Sequence, residues 1–353
     1  MDLNNRPHDP NSRGSRPGSF LSAEAENCAI VSKKGTRSDS SPVIRTVTGD
    51  IAVVQGRILA HEHLQIDLSA QKGPANRIGE AEEQAVIEDL RHAKEFGLAA
   101  ITDLSAPDWG RNPAALRRIS VEAGIAVVCA AGFYWDPFPG IAIDGTVERL
   151  RDSMIAEIET GVGGTDIRCG VIKVGTTRGE PDAVAERLFR AAVGAALATG
   201  APIITHTSNP DQAAWHVRVV ERAGMDMSRV VISHMGAAHD VSELVEIGRS
   251  GAIMGIDKVS FPKGPTNDQL ADLVRDACAR GLERQIILSS DIARRTLLRR
   301  YGGRGYCTVF ADFVPMLHDR GISPPQIETM LHENPVRLLT FANTRSAGCA
   351  KNA

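Results

Sequence analysis

The sequence predicts an α/β protein: a single-domain, closed (β/α)8 barrel, the TIM barrel architecture, over about residues 45–342, with a disordered tail at 1–44 and a loose C-terminal tail at 343–353. Three observations predict it. Short β-branched or aliphatic runs alternate eight times with amphipathic stretches of helical length, the pattern of successive βα units. Gly97, Gly124, Gly200, Gly224, Gly251, Gly281 and Gly321 stand just past helical stretches, where a left-handed residue is favoured. Several of the apolar runs close on a histidine, lysine or aspartate, and in a parallel barrel those strand ends all face one mouth.

Residues 1–44 are rich in Asn, Arg, Ser, Gly, Pro and Lys and hold almost no large apolar side chains, so they bury too little surface to offset the entropy of ordering. The first strand runs through Gly56-Arg57-Ile58-Leu59-Ala60 to His63, and a helix follows at about 80–96. The second strand closes at Asp103 before a helix at 112–123. The third ends near Ala131, with Phe133-Tyr134-Trp135 at its tip and a helix at 145–160. Gly170-Val171-Ile172-Lys173 forms the fourth, ending near Val174 before a helix at 181–199. Pro202-Ile203-Ile204-Thr205-His206 and Val230-Val231-Ile232-Ser233-His234 are the fifth and sixth, with helices at 210–224 and 239–250. The seventh ends at Ile256 before a helix at 266–281, and the eighth, Ile286-Ile287-Leu288-Ser289-Ser290-Asp291, precedes a helix at 308–320. A last helix, about 323–341, packs under or beside the barrel. The even composition across the repeats gives no linker to a second domain. An open Rossmann-like sheet is the alternative, but no GxGxxG turn follows the first strand; Gly161-Val162-Gly163-Gly164 follows a helix and reads as a loop.

The 353 residues, 42% of them hydrophobic, can build a sizeable core. A net charge of −3 with both signs interspersed gives no electrostatic case for nucleic acid or an anionic membrane surface, which leaves a small-molecule partner. Cys28, Cys129, Cys169, Cys278, Cys307 and Cys349 show no CxxC and no clustered spacing, and read as reduced thiols of a cytoplasmic protein. No apolar run approaches the roughly 18 residues of a membrane span, and the N-terminus lacks the apolar core of a secretory signal.

Side chains on a strand alternate with period two, so His61 and His63 share a face, and two neutral imidazoles from one strand make a rigid half-site for zinc or a related divalent ion. Lys173 ends an apolar strand, where an ammonium faces a desolvation cost of several kcal/mol unless it is neutral, paired or modified. As a carbamate formed with CO2 it would offer two anionic oxygens able to bridge two cations. Each group has a plain structural reading: a snorkelling lysine, core histidines at 206 and 234, a helix-capping Asp291. The set decides between them, since His, His, Lys, His, His and Asp close strands one, four, five, six and eight.

In order and context these residues resemble the phosphotriesterase family of the amidohydrolase superfamily. The likeness lies in His61-Glu62-His63, Gly170-Val171-Ile172-Lys173-Val174-Gly175, Pro202-Ile203-Ile204-Thr205-His206, Val231-Ile232-Ser233-His234-Met235-Gly236, Gly255-Ile256-Asp257 and Leu288-Ser289-Ser290-Asp291. Gly110-Arg111-Asn112-Pro113, Gly132-Phe133-Tyr134, Arg299-Arg300-Tyr301-Gly302-Gly303 and Glu333-Asn334-Pro335 extend it over about residues 45–342. The resemblance implies a TIM barrel with two divalent metals, zinc first and manganese, cobalt or iron as alternatives, bridged by N6-carboxylysine at Lys173 and a hydroxide. It places His61, His63 and Asp291 on the buried metal and His206 and His234 on the exposed one, with Asp291 and Lys173 as catalytic residues. A homodimer is also implied.

One departure concerns proton transfer. Many relatives carry an aspartate three residues after the second single histidine, whereas here that place holds Ala237, followed by His239-Asp240, with His239 read as an ordinary residue opening a helix. Substrates whose leaving group needs little protonation, such as ring esters, suffer least from its loss. Tyr134 and Trp135 are expected to wall the pocket, and Lys258 and Arg294, with Arg178, Lys263 and Arg295, to make its mouth cationic and suited to a carboxylate or phosphate. The expected function is a lactonase or related carboxyl-ester hydrolase with organophosphate triester hydrolysis as a side activity. Amide hydrolysis of small N-acyl compounds is the second reading, and a barrel that binds a ligand without turning it over the third.

Overall fold

The computed structural model describes residues 42–134, 139–176, 180–209 and 211–341. A hairpin of β1 (Val43–Thr46) and β2 (Gly49–Ala52) leads into β3 (Arg57–Glu62). The loop after β3 carries β4 (Ile66–Asp67), α1 (Ser69–Lys72) and β5 (Arg77–Ile78). Then follow α2 (Glu83–Glu95), β6 (Leu98–Asp103), α3 (Pro113–Ala123), β7 (Ala126–Phe133), α4 (Gly140–Asp144), α5 (Val147–Glu159) and β8 (Val171–Gly175). The second half continues through α6 (Ala183–Thr199), β9 (Ile203–His206), α7 (Gln212–Arg222), β10 (Val230–Ile232), α8 (Val241–Gly248), β11 (Ile253–Ile256), α9 (Asn267–Cys278) and β12 (Ile286–Leu288). It ends with α10 (Val314–Asp319), α11 (Pro324–Glu328) and α12 (Asn334–Leu339).

The predicted fold is the one observed. Eight strands form a nearly closed parallel sheet in the order β12-β11-β10-β9-β8-β7-β6-β3, with the helices between them. Each predicted helix is found, and the seven glycines that were to end helices all adopt positive φ, between 64° and 89°. Helix starts are equally local: the side chains of Asn112, Asp182 and Asp240 accept from backbone N–H groups in the first turns of α3, α6 and α8. Strands six and eight stop at Ile232 and Leu288, short of the ends expected near His234 and Ser290, because the backbone turns left-handed at His234 (φ 64°) and Asp291 (φ 51°). The last helix is three short pieces, with a wider turn at Thr329–Glu333.

One or two inward side chains from each strand fill the floor of the barrel: Ile58 and Ala60, Ala100, Val128 and Ala130, Val171, Ile204, Val231, Ile253 and Ile287 are all buried together. Ile44 of β1 joins them with Leu338 and Leu339 of α12, so the N-terminal hairpin and the last helix plug this end. A second, larger layer lies between sheet and helices. No helix among the described residues is long and apolar enough to cross a membrane. Cys129, Cys169, Cys278 and Cys307 are free thiols. Trp135, Arg178, residues 1–41 and residues 342–353 lie outside the described residues.

Candidate metal centre

The inward phase of the strands explains which polar residues converge. Counting on by two from the floor residues puts Tyr134 on the loop after β7, Lys173 on β8, His206 on β9, Asp257 after β11 and Asp291 after β12 inside the mouth. His61 and His63 are out of phase with Ile58 and Ala60. The ladder between β3 and β6 shifts register between Leu59 and Glu62, and such an irregularity re-aims the residues beyond it. His234 is out of phase with Val231, and there the left-handed φ of 64° turns the imidazole inward.

All six sequence-predicted ligands meet at this mouth, five of them buried and His206 half-buried. Nε2 of His63 lies 3.3 Å from Asp291 Oδ1 and Nε2 of His61 3.8 Å from the same oxygen, and the three residues could hold one metal ion. Nζ of Lys173 is 3.3 Å from His61 Nε2 and donates to the carbonyl of Thr205 at 2.8 Å. His234 Nε2 lies 3.0 Å from His206 Nδ1. The side chain of Tyr134 covers the site: its ring centroid is 5.3 Å from Lys173 Nζ and 5.4 Å from the ring of His206.

Asp257 is the site residue that sequence reasoning quoted without giving it a role. Its Oδ2 lies 2.7 Å from His61 Nδ1, and its Oδ1 2.8 Å from His234 Nδ1 and 2.9 Å from the His234 backbone N–H. An ionised carboxylate only accepts, so both imidazoles carry their proton on Nδ1 and turn a lone pair on Nε2 into the cavity. Ser105 Oγ sits 2.9 Å from His63 Nδ1, while Asp103 accepts from the backbone N–H groups of Leu64, Gln65 and Ser105 and so fixes that turn. Polar residues closing a strand were the signal that picked out the six candidate ligands, and it reaches Asp257 and Asp103 as well.

Protonation agrees with ligation. Burial pushes His61 down to about 3, helped by Lys173 and opposed by Asp257. Burial likewise lowers His206, with His234 next, and lowers His234 against the pull of Asp257. Neutral imidazoles with free lone pairs result. Burial brings Lys173 down to about 7, a value at which an amine is partly neutral and nucleophilic. Burial favours the neutral form of Asp291, but the hydrogen bond from His63, with the electrostatic pull of the neighbouring imidazoles of His61 and His234, outweighs it and holds the carboxyl below its usual range. Asp257 is held well below that range against burial by His234 and His61. Four nitrogen donors, a buried amine and a carboxylate form a donor set that could hold divalent metal ions.

Above the ligands opens a cavity of about 490 Å³ lined by His63, Tyr134, His206 and Asp291 at its base and by Lys72, Lys258, Lys263 and Arg294 around it. Lys258, Lys263 and Arg294 stand where the sequence placed them; Lys72 was missed, since the small β4–β5 hairpin carries no strong pattern. Phe261 lies beneath two of the cations, 4.8 Å from Arg294 Cζ and 5.5 Å from Lys258 Nζ. Arg295 does not join them: its guanidinium lies 3.9 Å from Glu82 and faces the ring of Tyr301. Ala237 and His239 are exposed, and Asp240 caps α8, so no carboxylate of that turn reaches the ligands.

Relatives place this geometry. The chain is 31% identical over 283 residues to the phosphotriesterase homology protein of Escherichia coli (strain K12), spanning 79% of this chain and 96% of that protein. A crystal structure of that protein with phosphate in its active site superposes with a TM-score of 0.78 at 30% identity, over 80% of this chain and 98% of that one. The N-acetyltaurine hydrolase of Danio rerio is 29% identical over 342 residues, 84% of this chain and 98% of its own. A lactonase from Listeria monocytogenes gives a TM-score of 0.80 at 25% identity, over 85% of this chain and 99% of that one. The model of the phosphotriesterase family matches residues 42–339, and the chain belongs to that family.

Proposed function

We propose that the chain is a binuclear-metal-dependent hydrolase of small carboxylic esters, lactones above all, that bear an anionic group, with organophosphate triester hydrolysis as a side activity. The observation that carries this reading is the convergence of His61, His63 and Asp291 within coordinating reach of one another, beside Lys173 and under a cationic cavity. His61, His63 and Asp291 would hold one ion and His206 and His234 the other, with Lys173 shared between them as N6-carboxylysine. The neutral amine adds CO2, forming an N–C bond and releasing a proton. Zinc fits the donors best, with manganese, cobalt or iron as alternatives. Two such cations, once bound, would make a hydroxide nucleophile available near neutral pH and polarise the carbonyl or phosphoryl oxygen of the group whose carbon or phosphorus is attacked.

The chain's own residues do the rest. Asp291 is the one carboxylate among the described residues that line the cavity, so it takes the proton of the attacking group and passes it towards the leaving group. Tyr134 walls the base, with Trp135 beside it in sequence. Lys258 and Arg294 orient the anionic end of the substrate. With Ala237 in place of a relay carboxylate, a lactone is the easiest substrate, because its leaving oxygen stays tethered and needs less help with a proton.

A second reading, hydrolysis of an N-acyl amine with an anionic end, is favoured by one observation: the Danio rerio relative is named for N-acetyltaurine, an amide that carries a sulfonate. Assaying the metal-loaded protein against charged and neutral lactones, aryl esters, N-acyl amines and a phosphotriester separates the two. Turnover of lactones with two ions per chain supports the ester reading. Turnover of N-acyl compounds alone replaces it with the amide one. A protein that binds no metal and cleaves nothing is a ligand-binding barrel.

A further inference from the structure

Between His61 and His63 stands Glu62, a fully buried carboxylate to which the metal chemistry gives no task. Its Oε1 accepts from Ser289 Oγ at 2.9 Å, Ser290 N–H at 2.7 Å and Ser290 Oγ at 2.7 Å, and its Oε2 accepts from the Ile292 N–H at 2.8 Å. Those four donors flank Asp291 on both sides. Among the described residues no backbone ladder pairs β3 with β12, although each is the other's neighbour in a closed barrel. The seam is joined instead by Glu62, by the His61 N–H donating to Ser289 Oγ at 3.1 Å and by the Asp291 N–H donating to the His61 carbonyl at 3.2 Å.

We propose that Glu62 is a positioning residue: its carboxylate clamps the turn at 289–292 onto the end of β3 and thereby holds Asp291 in register with His61 and His63. The geometry demands such a clamp. Asp291 sits at φ 51°, a conformation that non-glycine residues adopt only when their surroundings impose it, and it lies beyond the last ladder pair of β12, Ile256 with Leu288. Three donors converge on one oxygen, an arrangement an ionised carboxylate accepts and a side-chain amide meets only in part. The middle residue of the HxH motif is thus the part that ties the first strand's ligands to the eighth strand's.

This inference rests on the metal-centre reading above, and the experiment separates the two failures. Glu62→Gln keeps one acceptor oxygen but turns an N–H towards a donor. Metal content and affinity are measured by competition with a chelator, alongside thermal stability and steady-state kinetics. The expected result is a folded variant in which the tighter-held ion is weakened about 10- to 100-fold and kcat falls while KM stays within about twofold. Ser290→Ala, which removes a single hydroxyl donor, is the milder companion should Glu62→Gln fail to fold, and is expected to shift affinity the same way by about threefold to tenfold. A lower Tm with unchanged affinity and unchanged kcat in whichever variant folds overturns the proposal, leaving Glu62 a purely structural seam. Absence of metal from the parent protein under loading conditions sinks the metal-centre reading and this inference with it.

Discussion

Lys173 is the side chain whose surroundings demand the most explanation. It is fully buried, its amine touches an imidazole and a backbone carbonyl, and among the described residues no group of opposite charge contacts it directly. Burial, opposed by the charges of Asp257 and Asp291 and aided by Lys258, brings it down to about 7, and conversion to a carbamate would exchange a poorly placed cation for an anion between the candidate metal ligands. Lys173→Ala is therefore expected to lose at least about 100-fold of activity and one or both ions, with part of both restored by millimolar acetate or propionate as a detached bridge. Metal analysis by mass spectrometry with and without the added acid checks this, and unchanged metal content in the variant counts against the carbamate. Lys173 was legible in the sequence because a charged residue closing an apolar strand is improbable on desolvation grounds. The work of Asp257 was not, since its imidazole partners come from positions 196 and 23 residues away and only the closed barrel brings them together.

At the scale of elements, strands and helices were readable because their signals are local: apolar period, capping side chains, glycine after the last turn. What escaped was set by tertiary contact. The β1–β2 hairpin gains its stability by plugging the barrel floor through Ile44, and the β4–β5 hairpin by roofing the cavity through Ile66, Leu68 and Lys72. The inward phase of His61 and His63 depends on the register shift in β3, which period-two counting does not reveal. The loops after β11 and β12 bring Lys258 and Arg294 over one aromatic ring, and this pairing makes a claim about substrate charge. Replacing either by Met is expected to raise KM about tenfold for a lactone or N-acyl substrate bearing a carboxylate, sulfonate or phosphate, since one charge-assisted contact contributes about 1.5–3 kcal/mol. KM for the uncharged analogue stays within about twofold. Equal losses on both substrates would show that the two cations shape the loop rather than read the charge.

For the whole molecule, stability is coupled to pH through a carboxylate far from chemistry in role though buried in the wall. Asp89 on α2 is 2% exposed and accepts the Arg299 backbone N–H at 3.0 Å, so it ties a barrel helix to the long segment that follows the eighth strand. Burial, opposed by that hydrogen bond and by the charges of Arg299 and His92 and abetted by Glu88, raises its carboxyl from 3.8 to about 6. Because the folded chain holds this proton more tightly than the unfolded one, the group stabilises the fold fully below its unfolded value and loses that contribution as pH rises through about 6. Above that point the fold carries an ionised carboxylate in a site that prefers a neutral one. Asp89→Asn keeps a carbonyl oxygen for the Arg299 N–H and removes the ionisation. It is expected to raise Tm by a few degrees at about pH 8, with the gain shrinking towards zero at about pH 4. Thermal unfolding of parent and variant at both pH values checks this. A lower Tm for the variant at the higher pH would mean that the ionised carboxylate's attraction for Arg299 and His92 exceeds its desolvation cost, and that α2 is held to the last third of the chain by charge rather than in spite of it.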